Sequence, residues 1–178
     1  MAGACTICAT GAPFSAIDKG GSTGAMDIRT YLVVIDESDE ARIALRFAAR
    51  RAAKTGGAVE ILALVDQAEF VQWGSVQAAM EEEARLRAEA LVAQAAGSLI
   101  EETGLRPSIT VRQGDPILAV KALLQERPGV AALVLGAAAV GSANKLITHF
   151  AVTEAGQLPC PLMVIPGSLS DEALDRLS

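Results

Sequence analysis

The sequence predicts an α/β domain, a doubly wound parallel sheet of five strands with helices on both faces. Three observations predict it. A chain of 178 residues that is 51% hydrophobic holds enough apolar mass for one full core. Its strand candidates are short continuous runs of branched apolar residues, the pattern of strands covered on both faces. Between those runs lie segments with apolar residues at helical spacing, so strand and helix alternate, which favours a parallel sheet with crossover connections.

In chain order, the first strand is Tyr31 to Ile35, ending in Asp36, Glu37, Ser38 and Asp39. Ser38 or Asp39 suits a helix cap, and Ala41, Leu45, Ala48 and Ala52 recur on one helical face before Gly56 and Gly57 stop it. The second strand, Val59 to Val65, also ends in an aspartate, Asp66, and leads into an apolar loop with Phe70, Val71 and Trp73. That loop reads as a cover over the end of the core, with a contact surface as the alternative. A long helix from about Val76 to Thr103 carries Ala84, Ala88, Leu91, Ala95 and Leu99 on one stripe, with Arg85 and Arg87 placed to pair with acids three or four residues away. Gly104 and Pro107 close it, and Ser108 to Arg112 is the third strand. Asp115 followed by Pro116 is a helix start, with Ile117, Val120 and Leu124 as the buried face up to Arg127. Val130 to Leu135 is the fourth strand, stopping at Gly136. Ala143 to Gln157 reads as the next helix and Pro161 to Ile165 as the last strand, with a short polar helix over Asp171 to Ser178.

The ends differ from this body. Residues 1–25 are rich in Gly, Ala, Ser and Thr without periodicity and read as a flexible tail; residues 26–168 form the domain and 169–178 a polar tail. The tail lacks the basic start and sustained apolar run of a secretory signal. Cys5 and Cys8 make a C-x-x-C pair, but Cys160 and the single His149 are too distant in sequence to complete a familiar four-ligand pattern. Three cysteines without disulfide-type spacing suit a reducing compartment, the cytoplasm. A net charge of −6 with no Lys/Arg cluster argues against nucleic acid and anionic membrane as partners. The longest uncharged run, about Val130 to Ala143, is too short to cross a bilayer.

Function points to the end of the fourth strand, where VAALVLGAAAVGS runs from an apolar strand into small residues. Small residues there let a backbone approach an anion at a helix start. Ala137 to Ala139 equally suit a tight turn packed on a neighbouring strand. No nucleophile elbow, carboxylate pair or metal-ligand set stands apart from the solvated charges, so no catalytic residue is assigned.

Residues 29–167 resemble a universal stress protein domain, in the adenine nucleotide alpha hydrolase-like group of folds. The residues that carry the resemblance are Val34-Ile35-Asp36-x-Ser38, Leu62 to Asp66, Gly114-Asp115-Pro116, Leu135-Gly136 and Pro159 to Ile165. The resemblance implies a sheet of order 3-2-1-4-5, a homodimer joined through the last strand, and a nucleotide-sized crevice between strands one and four. An unpaired apolar edge at Leu162 to Ile165 points to the same dimer contact. One branch of that family holds ATP with G-x-x-G, nine residues, then G-S or G-T. Here Gly136 is kept, Ala139 takes the second glycine, and His149-Phe150 stands near the final pair. The candidate crevice residues are therefore Asp36, Leu64, Gly136, Ala139, Gly141 and Ser142, a degenerate nucleotide site.

The expectation is a dimeric stress-response regulatory or interaction protein without tight ATP binding, with no cofactor and an unidentified protein partner. The alternative is an ATP- or AMP-binding switch or slow ATPase, using ATP with Mg, in which Asp36 and Leu64 meet the base and residues 136–142 the phosphates.

Overall fold

The computed structural model describes residues 28–65, 74–141 and 144–178. Strands β1 (Thr30–Ile35), β2 (Ala58–Val65), β3 (Ser108–Gln113), β4 (Val130–Ala137) and β5 (Leu162–Pro166) form one parallel sheet in the order β3-β2-β1-β4-β5. Both the parallel sheet and the strand order implied by the resemblance are observed. The expected tail over residues 1–25, the Cys5–Cys8 pair and the loop from Asp66 through Trp73 lie outside the described residues.

Two cores sandwich the sheet. Alternate residues Val33, Ile61 and Val134 face α1 (Asp39–Thr55) and α2 (Gly74–Thr103), packing with Ala48, Ala52 and Leu99. Leu32, Leu62 and Leu133 face the other way, onto Val120 and Leu124 of α3 (Pro116–Glu126) and onto Leu146 and Phe150. The helices start where the sequence marks them: the Ser38 hydroxyl accepts from Ala41 N at 3.2 Å, and Asp115 accepts from Ile117 N and Leu118 N at 2.9 and 3.1 Å. Gly56 ends α1 in the left-handed conformation at φ 65°, which a residue with a Cβ adopts only at a cost. Along α2, Arg85 pairs with Glu82 and Glu89, and Arg87 with Glu83, as their spacing predicts.

Three features depart from the sequence reading. β4 continues one residue beyond Gly136, because Gly136 and Ala137 still pair with Ile165 and Pro166 of β5. The helix expected over Ala143 to Gln157 is confined, among described residues, to α4 (Lys145–Thr148) and a π-turn over His149–Thr153. The cause is local: Asn144 caps Leu146 N at 2.8 Å, and the wide turn closes where Glu154 N donates to the His149 carbonyl at 3.1 Å. Finally, α5 (Asp171–Leu177) is helical as expected but docked, with Leu174 fully buried in the core beneath α1 and α2.

Candidate functional site

β1 sits at the centre of the sheet, where the order of connections reverses between β2 and β4. Open α/β sheets leave a crevice at the carboxyl ends of the strands at such a point. Here it measures ≈ 200 Å³ and is walled by Val34 from β1 and Asp36 just after it, Leu64 from β2, Gly136 from β4, and Asn144 and Lys145 at the start of α4. Typical ligand pockets begin at about 300 Å³, so this one is small.

Of the six candidate residues, Asp36, Leu64 and Gly136 line this crevice. Ala139 and Gly141 are exposed and lie outside its lining, and Ser142 lies outside the described residues. Gly136 is glycine for a reason the sequence does not display. A Cβ there would press into the Glu40 carbonyl oxygen and stand 2.5 Å from the Glu40 carbon and 2.9 Å from the Ala41 nitrogen. The close approach at Gly136 is thus made by the backbone of α1.

Among the described residues, the polar side chains around the crevice have partners. Asp36 accepts from the Ser38 amide at 3.0 Å and from the Ser38 hydroxyl, while that hydroxyl caps α1. Asp115 caps α3 through Oδ1 and pairs through Oδ2 with Lys145 Nζ at 3.1 Å. The Leu118 amide first, and then Lys145, hold the Asp115 carboxyl below the usual carboxylate range. Asn144 caps α4. These caps take up the amides of Ala41, Ile117, Leu118 and Leu146, four of the donors that the helix starts otherwise offer to an anion.

His149 and Phe150, which stand where the family pattern wants glycine and a hydroxyl, do not line the crevice. Phe150 is fully buried in the core under α3 and α4, and the His149 ring packs edge-on against it with centroids 5.2 Å apart. Although the pair stands near the glycine and hydroxyl of the family pattern in sequence, neither ring occupies the crevice, because the π-turn points Phe150 into the core. Glu154 Oε1 lies 3.4 Å from His149 Nε2 and accepts from Lys121 Nζ at 2.7 Å, and that lysine holds the Glu154 carboxyl low. Burial raises the Cys160 thiol above its ordinary range, the direction that disfavours the thiolate.

Sequence reasoning missed two polar features. Glu60 is a buried carboxylate inside β2, accepting from the Thr110 hydroxyl at 3.0 Å with Arg127 Nε at 3.5 Å. A lone acid inside an apolar strand run was the available signal. The second is a charge clamp joining α1, α2 and α5. Arg46 and Arg50 share Glu102 at 2.8 and 2.9 Å and reach Asp171 and Asp175 respectively, each at 2.5 Å. Its signal was complementary spacing, basic residues four apart on one helix and acidic residues four apart on another. Among the described residues no three His, Cys, Asp or Glu side chains gather as a metal site, and no helix is long and apolar enough to cross a membrane.

A family model described as the universal stress protein family matches residues 28–166. No curated protein matches significantly. Solved structures do. Universal stress protein UspA from Lactobacillus plantarum superimposes with a TM-score of 0.65 at 18% identity, covering 77% of this chain and 97% of that one. A universal stress protein family member from Burkholderia pseudomallei gives 0.62 at 17% identity, covering 80% and 99%. The universal stress protein from Archaeoglobus fulgidus in complex with dAMP gives 0.53 at 18% identity, covering 78% and 97%.

Proposed function

Since the chain belongs to the universal stress protein family, matched over residues 28–166, we propose that it works as a homodimeric regulatory or interaction protein of the cytoplasmic stress response, without tight ATP binding. One observation carries the nucleotide part of this reading. The starts of α1, α3 and α4 around the crevice are capped by Ser38, Asp115 and Asn144, and Lys145, the one cation among the described lining residues, is paired with Asp115. A triphosphate entering here would have to displace these partners and lie beside the carboxylates of Asp36 and Asp115, at a cost in both hydrogen bonds and charge repulsion. Among the described residues, these caps and the Asp115–Lys145 pair support the reading without tight triphosphate binding. No step of ATP hydrolysis is assigned to the chain.

Dimerisation is proposed through β5. This edge strand exposes Val164, and an exposed apolar edge with unpaired backbone groups favours pairing with a second copy.

A second reading has a specific observation in its favour: Asp36 and Leu64 wall one side of the crevice, and the similar Archaeoglobus fulgidus protein is described in complex with dAMP. In that reading the site is an adenine-nucleotide switch with ATP and Mg, or AMP, as ligand. Isothermal titration of the full chain with ATP and AMP, with and without magnesium, separates the two. The proposal expects ATP dissociation constants of about 1 mM or weaker, equivalent to about 4 kcal/mol. Micromolar binding that Asp36→Ala or Lys145→Ala abolishes would establish the switch instead.

A further inference from the structure

Arg46, Arg50 and Lys54 are spaced four residues apart on α1, so their side chains form one basic stripe along the helix. α5 answers it with Asp171 and Asp175, also four apart. Arg46 Nη1 meets Asp171 Oδ1 and Arg50 Nη1 meets Asp175 Oδ1, each at 2.5 Å, while Lys54 Nζ donates to the carbonyls of Asp175 and Ser178 at 2.7 and 3.0 Å. Leu174, between the two aspartates, is fully buried in the core. Glu102 on α2 binds both guanidinium groups at 2.8 and 2.9 Å, and its hydrogen bond raises Arg46 above its ordinary range.

The family match ends at residue 166, and α5 begins at Asp171. The domain thus carries the stripe, and a separate seven-residue appendage fills it. A helix that short does not persist alone in water, so its docking and its folding are a single event. Leu174 is its one buried residue; Asp171 and Asp175 keep side-chain exposures of 68% and 69%. By contrast, the receptor is organised in advance, since Glu102 orients both arginines from the other side.

We propose that the Arg46-Arg50-Lys54 stripe is a docking site for acidic amphipathic helices carrying Asp-x-x-Leu-Asp, and that α5 is its occupant in cis, which such a helix from a partner protein displaces. Charge complementarity selects the occupant: three cations against the single Glu102 leave a basic surplus, which two aspartates in register neutralise while a leucine fills the apolar seat between them. The inference is independent of what the crevice binds.

The test uses the full chain and a fluorescent peptide copying residues 170–178. Asp171→Lys with Asp175→Lys dislodges the cis helix. In anisotropy titrations this double variant should bind the peptide at least about tenfold more tightly than the wild type does. Adding Lys54→Glu should cancel the gain, as should raised salt or a peptide with both aspartates changed to asparagine. Equal affinity of wild type and double variant, or indifference to Lys54→Glu, would overturn the proposal. So would loss of cooperative unfolding in the double variant, because α5 would then be part of the folded core and not an exchangeable occupant. A concentration-dependent wild-type dimer that the double variant loses would assign the stripe to a second copy of this chain, and would also overturn it.

Discussion

A methyl group at Gly136 has nowhere to go, because the peptide joining Glu40 to Ala41 already fills its place. Gly136→Ala should therefore destabilise the fold by overpacking, by about 2 to 3 kcal/mol, read as a fall of roughly 5 to 10 °C in Tm. Gly97 gives the opposite sign. It lies within α2, and an added Cβ would meet nothing within 4 Å, so Gly97→Ala should raise stability by about 0.5 to 1 kcal/mol. Equal shifts for the two variants in urea or thermal unfolding would refute the packing account. The sequence made Gly136 conspicuous but not its reason: a glycine after an apolar strand announces a close neighbour without saying whether that neighbour is a ligand or the chain's own helix. His149 and Phe150 pose the same difficulty, since a ring can point into a crevice or into a core, and only the π-turn decides.

At the scale of elements, strands and caps were readable because their causes are local. The continuous apolar runs, the capping Ser38 and Asp115, and Pro116 at the first helical position act within a few residues. α5 was readable as a helix yet not as a docked one, because docking depends on charges more than a hundred residues away. The clamp that holds it also has a pH signature. Arg46 first, and Arg50 with it, depresses the Glu102 carboxyl below its ordinary range. A carboxylate with a lower pKa folded than unfolded adds stability above the ordinary range near 4, and that gain fades as pH falls through the depressed value. Glu102→Gln should cost about 1 kcal/mol at pH 7, a figure kept small by the clamp's exposure, and close to nothing at pH 2. Urea midpoints at the two pH values check this; a deficit that persists undiminished in acid would mean Glu102 acts through packing alone.

For the whole molecule, the parallel five-stranded sheet was legible from alternation of strand and helix, whereas its order came only through the family resemblance. Nothing in an isolated strand tells which neighbours it takes. Both edges of the sheet expose apolar side chains, Ile109 and Val111 on β3 and Val164 on β5. Val164→Lys should convert the proposed dimer to monomer in sedimentation velocity, and Ile109→Lys on the opposite edge should leave it dimeric. A wild type sedimenting as a monomer at tens of micromolar would dispose of the β5 contact. At the carboxyl end of the sheet, Gly136 and Gly167 both abut Glu40 of α1, the second within 2.9 Å of where its Cβ would stand. For protein engineering, this convergence makes the contact of α1 with the ends of β4 and β5 a joint whose tolerance is less than one carbon atom, while the side chains of Asp36, Asn144 and Lys145 at the crevice rim are held by hydrogen bonds. A library that grafts a new ligand onto this scaffold therefore has its freedom at the rim, and residues 40, 136 and 167 should be left out of it.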